Sequence, residues 1–202
     1  MNLKKMILMD HLDKAIKEAK KLAKTIDDPT HDIVHVQGVV DAALLLAREF
    51  PEVDKKFIEA AAWWHDAGRP KSNDWHAQIS AKMASDFLIE IGADKEVAKQ
   101  IALAIVDHSW NAPTPKTIEG RIIRDADKLE FISVKRWKHM VKHNRDEHIK
   151  EFIEVLPQIR DKILSLDASK SMFDQMFPIF KEFVMNNDWQ GFDKVKELIE
   201  NM

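Results

Sequence analysis

The sequence predicts an all-α protein. Three observations support this. Ala, Leu, Ile, Met, Lys and Glu are abundant, glycine and proline number only five and seven in 202 residues, and apolar residues recur at helical spacing along most of the chain. Eight to ten helices fit the length. With no internal repeat, low-complexity tract or clear linker, the chain reads as one domain over residues 1–202.

The first helix is expected over about 3 to 26, where Leu8, Leu12, Ala15, Ile16, Ala19, Leu22, Ala23 and Ile26 form one apolar stripe among lysines and acids. It stops at Asp27-Asp28-Pro29-Thr30, because Pro29 does not continue a regular helix and Asp28 or Thr30 can cap the next. The second helix carries His31 and His35, runs through Val39, Val40, Ala43, Leu44 and Ala47, and ends near Pro51. A third, marked by Phe57, Ile58, Ala61, Ala62 and Trp64, closes at Gly68 and Pro70, which puts His65 and Asp66 in its last turn. Further helices are expected at about 75 to 91, 94 to 109 and 118 to 143, separated by Gly92 and by Pro113 and Pro115. Residues 147–202 read as two or three more, interrupted near Pro157 or 165–167 and again near Asn186-Asn187-Asp188.

The formal net charge of −3, from 31 basic and 34 acidic residues, supplies no overall positive field for a polyanion, so no nucleic acid polymer is expected as a partner. A local basic cluster is enough for a small anion. Cysteine is absent, which removes disulfides and thiolate ligands and leaves nine histidines and the carboxylates as metal-binding groups. The N-terminal apolar stretch is too short for a signal-peptide core, and no apolar run approaches the roughly 20 residues that span a bilayer. A cytoplasmic protein with no membrane partner is expected.

Two segments carry polar groups where an apolar helix face is due. His65-Asp66 follows Ala60-Ala61-Ala62-Trp63-Trp64, and Arg124-Asp125-Ala126-Asp127-Lys128-Leu129-Glu130 interrupts a run of buried-type residues. Such groups cost free energy when buried unless paired or bound to a cation. Asp125 and Asp127 are about 200° apart on a helix, so one of them at most faces a common site.

The ordered set of His35, then His65-Asp66, then a distal Asp resembles the HD superfamily of metal-dependent phosphohydrolases. Three local words carry the resemblance: Asp28-Pro29-Thr30-His31-Asp32 leading to His35-Val36, Trp64-His65-Asp66-Ala67-Gly68-Arg69, and Asp125-Ala126-Asp127-Lys128-Leu129. Together they span about 28 to 135. The resemblance implies a helical HD-type bundle in which His35, His65, Asp66 and Asp127 hold a divalent metal. Mn, Fe, Ni, Co or Zn suits this N/O set better than Ca, with Mg a further candidate ion. It further implies hydrolysis of a small phosphorylated substrate, in first place a nucleotide, by metal-activated water, with Asp66 and His65 in the reaction. Within the same family, a binuclear phosphodiesterase is the alternative. A non-catalytic metal- or ligand-binding module and, at lower weight, a di-iron oxygenase complete the readings.

His76 and His108 have counterparts in some relatives and are candidates for a second metal or for phosphate contact. Arg69 and Lys128 are candidates for phosphate binding or are solvated charges, and His31 either supports a ligand or caps its helix. The run Lys135-Arg136-Trp137-Lys138-His139 with Lys142, His143 and Arg145 is a basic helix face that can meet a negative substrate. Trp63, Trp64, Trp75 and Trp110 are core residues first and base-stacking candidates second. Two departures bear on substrate choice: Gly38 stands where many relatives carry a basic residue, and Glu130-Phe131-Ile132-Ser133-Val134 replaces a small, Gly-containing stretch. The sequence leaves the oligomeric state open.

Overall fold

The computed structural model describes residues 3–145 and 153–186, and within them the protein is all-α. Nine α-helices occur among these residues: α1 Leu3–Ala23, α2 Ile33–Leu46, α3 Lys55–Trp64, α4 His76–Glu90, α5 Lys95–Ile105, α6 Ile118–Phe131, α7 Val134–Lys142, α8 Leu156–Ile163 and α9 Asp167–Asn186. A short 3-10 turn, Ala47–Glu49, follows α2.

The stripe expected on α1 is its buried face, with Leu12, Ala15, Ile16, Ala19 and Ala23 in the core. There it meets α3, and Trp64 Nε1 donates to the Ala15 carbonyl at 3.0 Å. α2 packs between α3 and α6, and α4 pairs with α5. The candidate site lies where these helices end, because ends are where backbone groups lack partners within the helix.

Several boundaries differ from expectation, each for a local reason. Asp32 caps α2, its carboxylate accepting from Val34 N, so His31 lies in the preceding turn and not on the helix. α3 stops at Trp64, which leaves His65 and Asp66 in a run of turns beyond it. α5 ends at Ile105 and α4 begins at His76, so His108 and His76 both sit at helix ends. The single helix expected over 118 to 143 is two, because Ser133 Oγ accepts from Arg136 N and caps a fresh start at α7. In the C-terminal part, Pro157 lies in the first turn of α8 and residues 164–166 separate α8 from α9. The break expected near Asn186 falls at the last described residue, and 187–202 lie outside the described residues.

Candidate metal centre

Four imidazoles converge on one carboxylate. His35 comes from the first turn of α2, His65 and Asp66 from the turn after α3, His76 from the start of α4, His108 from the turn after α5, and Asp127 from α6. His35 Nε2 lies 3.5 Å from Asp66 Oδ2, 3.4 Å from Asp127 Oδ1 and 3.3 Å from His65 Nε2. His65 Nε2 is 3.6 Å from Asp66 Oδ2. On the other side of the carboxylate, Asp66 Oδ1 is 3.5 Å from His76 Nε2 and 3.4 Å from His108 Nε2, and those two nitrogens are 3.3 Å apart.

The outward nitrogens explain the inward ones. His65 Nδ1 donates to Ala62 O at 2.7 Å, His76 Nδ1 to Asn73 O at 2.6 Å and His108 Nδ1 to Ile105 O at 2.8 Å. A carbonyl accepts only from an N–H, so in the neutral ring Nδ1 carries the proton and Nε2 presents a lone pair. In the neutral rings, the Nε2 atoms of His76 and His108 therefore face each other as lone pairs. Asp66, 1% exposed, has an Oδ2 with no hydrogen-bond donor. A buried cluster of lone pairs and carboxylates is unfavourable unless a cation joins it. Ligands about 2.1 Å from one ion lie roughly 3.0–3.4 Å apart, so the donor set fits a divalent ion. Two groups suit such an ion: His35, His65 and Asp127, and His65, Asp66 and His108.

Electrostatics point the same way. Burial drives His65 down to about 3 and His76 down to about 4, so both rings are neutral at pH 7. Burial also opposes charge on His35, but Glu130 and Asp66 outweigh it and raise that ring to about 9. For Asp66, burial is outweighed by the surrounding imidazoles and Arg69, and its carboxyl stays well below the usual range. Asp127 behaves likewise, with Lys128 as its main counter-charge.

The supporting residues differ from one another. Lys128 is buried, with Nζ 2.5 Å from Asp127 Oδ2 and 3.0 Å from His108 O, so it braces a carboxylate and a turn. It is neither a solvated charge nor on the cavity wall. Arg69 Nε donates to Asp66 Oδ1 at 3.0 Å and lines the cavity. His31 Nδ1 bonds Asp28 Oδ2 at 2.7 Å, and its ring stands edge-on to His35 with centroids 5.6 Å apart. Asp125 faces away from the cluster and accepts from Ser165 N, Leu166 N and the Ser165 and Ser169 hydroxyls. Trp63 and Trp64 are core, Trp75 is exposed, and Trp110 lines the cavity with Lys128 Nζ 4.9 Å from its ring. Of the basic run, Arg136 is buried at the cavity wall and Trp137 is core.

Sequence reasoning passed over three contributors. Glu130 Oε2 accepts from His35 Nδ1 at 2.8 Å, and its place three residues after Asp127 on one helix face was the available signal. Arg124 donates to Ala112 O and Pro113 O, both at 2.8 Å, and pins the loop before α6. Ser109 Oγ lies 3.2 Å from His76 Nε2. Above the cluster opens a cavity of about 710 Å³, walled by Arg69, Arg136, His31, Asn111, Trp110 and Phe131 among others.

The chain is similar to several known proteins. It is 32% identical to Bacillus subtilis YpgQ over 113 residues, 54% of each chain, so it aligns with about half the length of that relative. It is 30% identical over 94 residues to the Vibrio cholerae bifunctional uridylyltransferase/uridylyl-removing enzyme, a match covering 41% of this chain and 11% of the enzyme. Among solved structures it resembles a predicted HD superfamily hydrolase from an uncultured Thermotogales bacterium, with TM-score 0.64, 27% identity, and coverage of 92% of this chain and 97% of that one. It shares the fold of B. subtilis YpgQ in complex with ADP, with TM-score 0.62 and 19% identity over 96% and 95% of the two chains. The HD domain pattern itself matches residues 32–132, the stretch that carries all six converging side chains from His35 to Asp127. With half its length in that match, this chain belongs to the HD domain family.

Proposed function

We propose that the chain, acting as one domain, is a metal-dependent phosphohydrolase of a small phosphorylated substrate, with a nucleotide as the leading class. One observation carries the reading: the Nε2 atoms of His35 and His65 and the carboxylates of Asp66 and Asp127 meet within 3.3–3.6 Å beneath an open cavity. These four would hold the metal, which when bound supplies Lewis-acid polarisation of the phosphoryl group and acidifies a water. Asp66, kept ionised, would also orient the attacking water, with His65 beside it. Arg69 meets the phosphoryl charge at the wall, and Trp110 and Phe131 offer aromatic surface for a base. Support for a nucleotide also comes from ADP in the complex of YpgQ, which shares the fold.

A second reading is favoured by Asp66 alone. Each of its two oxygens faces a different histidine pair, His35 with His65 and His76 with His108, as in a carboxylate bridging two ions. That arrangement suits phosphodiester hydrolysis.

The test is protein stripped and reloaded with Mn, Co, Ni, Mg or Zn, assayed on nucleoside mono-, di- and triphosphates, cyclic nucleotides and generic phosphoesters. Metal-dependent release of phosphate or pyrophosphate is expected. In Asp66→Ala it should fall by more than the roughly 100-fold loss typical of a supporting residue. Two ions per chain, reduced to one in His108→Ala, with turnover of cyclic nucleotides, selects the second reading. Bound metal with no turnover of any substrate overturns both in favour of a binding module.

A further inference from the structure

His35 stands apart from the other three imidazoles of the cluster. His65, His76 and His108 lie at or beyond helix ends, and each bonds through Nδ1 to the carbonyl three residues earlier. His35 lies within α2, where the corresponding carbonyl, Asp32 O, already receives Val36 N at 3.0 Å. Its ring therefore needs a partner from another element, and Glu130 of α6, 95 residues away in sequence, provides it at 2.8 Å.

Glu130 reaches that position through a gap in α2. A Cβ at Gly38 would stand 2.7 Å from Glu130 Cγ and 2.9 Å from Oε1, closer than real methyl contacts. Glycine in a helix interior costs about 0.5–1 kcal/mol relative to alanine, so this residue needs a reason there, and the carboxylate lying across it is one. Behind Glu130 stands buried Arg136, with Nε 3.8 Å from Oε2 and Nη2 donating to the Thr30 carbonyl. The two residues thus touch each other: Gly38 makes the room and Glu130 fills it.

We infer that Glu130 is a positioning residue that holds Nδ1–H and the ring plane of His35, so that Nε2 faces Asp66 and Asp127, and that Gly38 is the site that admits it. This rests on the metal-centre reading above. Losing a partner that orients a ligand imidazole typically weakens metal binding by about 10–100-fold.

The experiment compares wild type, Glu130→Gln, Glu130→Ala, Gly38→Ala and, as a control on the exposed side of α2, Asp41→Ala. Two quantities are read on protein whose helicity is intact: the His35 Nδ1–H resonance in the NMR spectrum of metal-free protein, and the Kd for Mn. The expected result is loss of the resonance and about 10–100-fold weaker binding in Glu130→Ala and Gly38→Ala. Glu130→Gln, whose amide oxygen still accepts, keeps the resonance with a smaller loss of affinity, and Asp41→Ala matches wild type. Should Glu130→Ala fail to fold, the contrast between Glu130→Gln and Gly38→Ala carries the same information. Unchanged resonance and Kd in folded Glu130→Ala or Gly38→Ala overturn the inference. A resonance lost in Glu130→Ala while wild type binds no metal keeps Glu130 as the residue that orients the ring and overturns the metal reading instead.

Discussion

Asp125 and Asp127 are two residues apart on α6 and have opposite surroundings. Asp125 is fully buried against the backbone that joins α8 to α9, and four donors converge on it. Replacing it by alanine strands buried N–H groups and is expected to cost about 3 kcal/mol, read by chemical denaturation, with metal affinity unchanged. Asp127→Asn keeps an acceptor for Lys128 but removes the charge facing His35 and the counter-charge of buried Lys128. It is expected to lose metal binding, read by calorimetry, and to lower stability as well. The imidazoles make a second contrast. His65 and His76, lowered to about 3 and about 4, are neutral well before pH 7, whereas His35, raised to about 9, carries a proton there. A metal must displace that proton, so binding at pH 7 should release about one proton from His35 and tighten as pH rises toward 9. Binding enthalpies in buffers of different ionisation heat measure the release; no buffer dependence would sink the prediction.

At the scale of elements, caps decide where the site residues stand. Ser133 Oγ holds Arg136 N at 3.1 Å and restarts the chain as α7, which places Arg136 against Glu130 and His139 Nε2 2.7 Å from Asp32 Oδ2. Ser133→Ala is expected to cost about 1 kcal/mol in thermal unfolding. Sequence spacing made the helices and their core faces legible, because apolar periodicity is a local signal and the α1 stripe returned as its buried face. It was the resemblance to the HD superfamily, and not spacing, that grouped His35, His65, Asp66 and Asp127, whose side chains lie 3.3–3.6 Å apart in the fold. Helix ends were less legible: nothing in the run 118 to 143 distinguishes Ser133 as a cap from any other polar residue until α7 turns against α2. The pairing of His35 with Glu130 was hidden for a stronger reason, since it depends on two helices docking across 95 residues. Gly68 is a milder case. Its N donates to Ser80 Oγ at 2.8 Å, and a Cβ there would stand 2.5 Å from His76 O, so it lies beyond the end of α3 and lets α4 approach the His65-Asp66 turn.

Over the whole molecule, the converging side chains join segments from His35 to Asp127, and α2, α3, α4, α5 and α6 each contribute or border a member. A ligand bound only by the folded state stabilises by about 2.7 kcal/mol at 100 times its Kd. Metal is therefore expected to raise the midpoint of thermal unfolding, and a chelator to return it to the metal-free value. No helix among the described residues is long and apolar enough to cross a membrane. The three rings held by carbonyls three residues back have a temporal consequence as well. His65, His76 and His108 acquire their orientation as soon as their own short stretches of chain form, whereas His35 waits for α6 to dock on α2. Closing a contact 95 residues long costs more chain entropy than closing one three residues long, so on refolding the orientation of His35 is expected to form after that of the other three rings. An early ion would meet an incomplete cage, and closure of α6 onto α2 would be the step that locks it in.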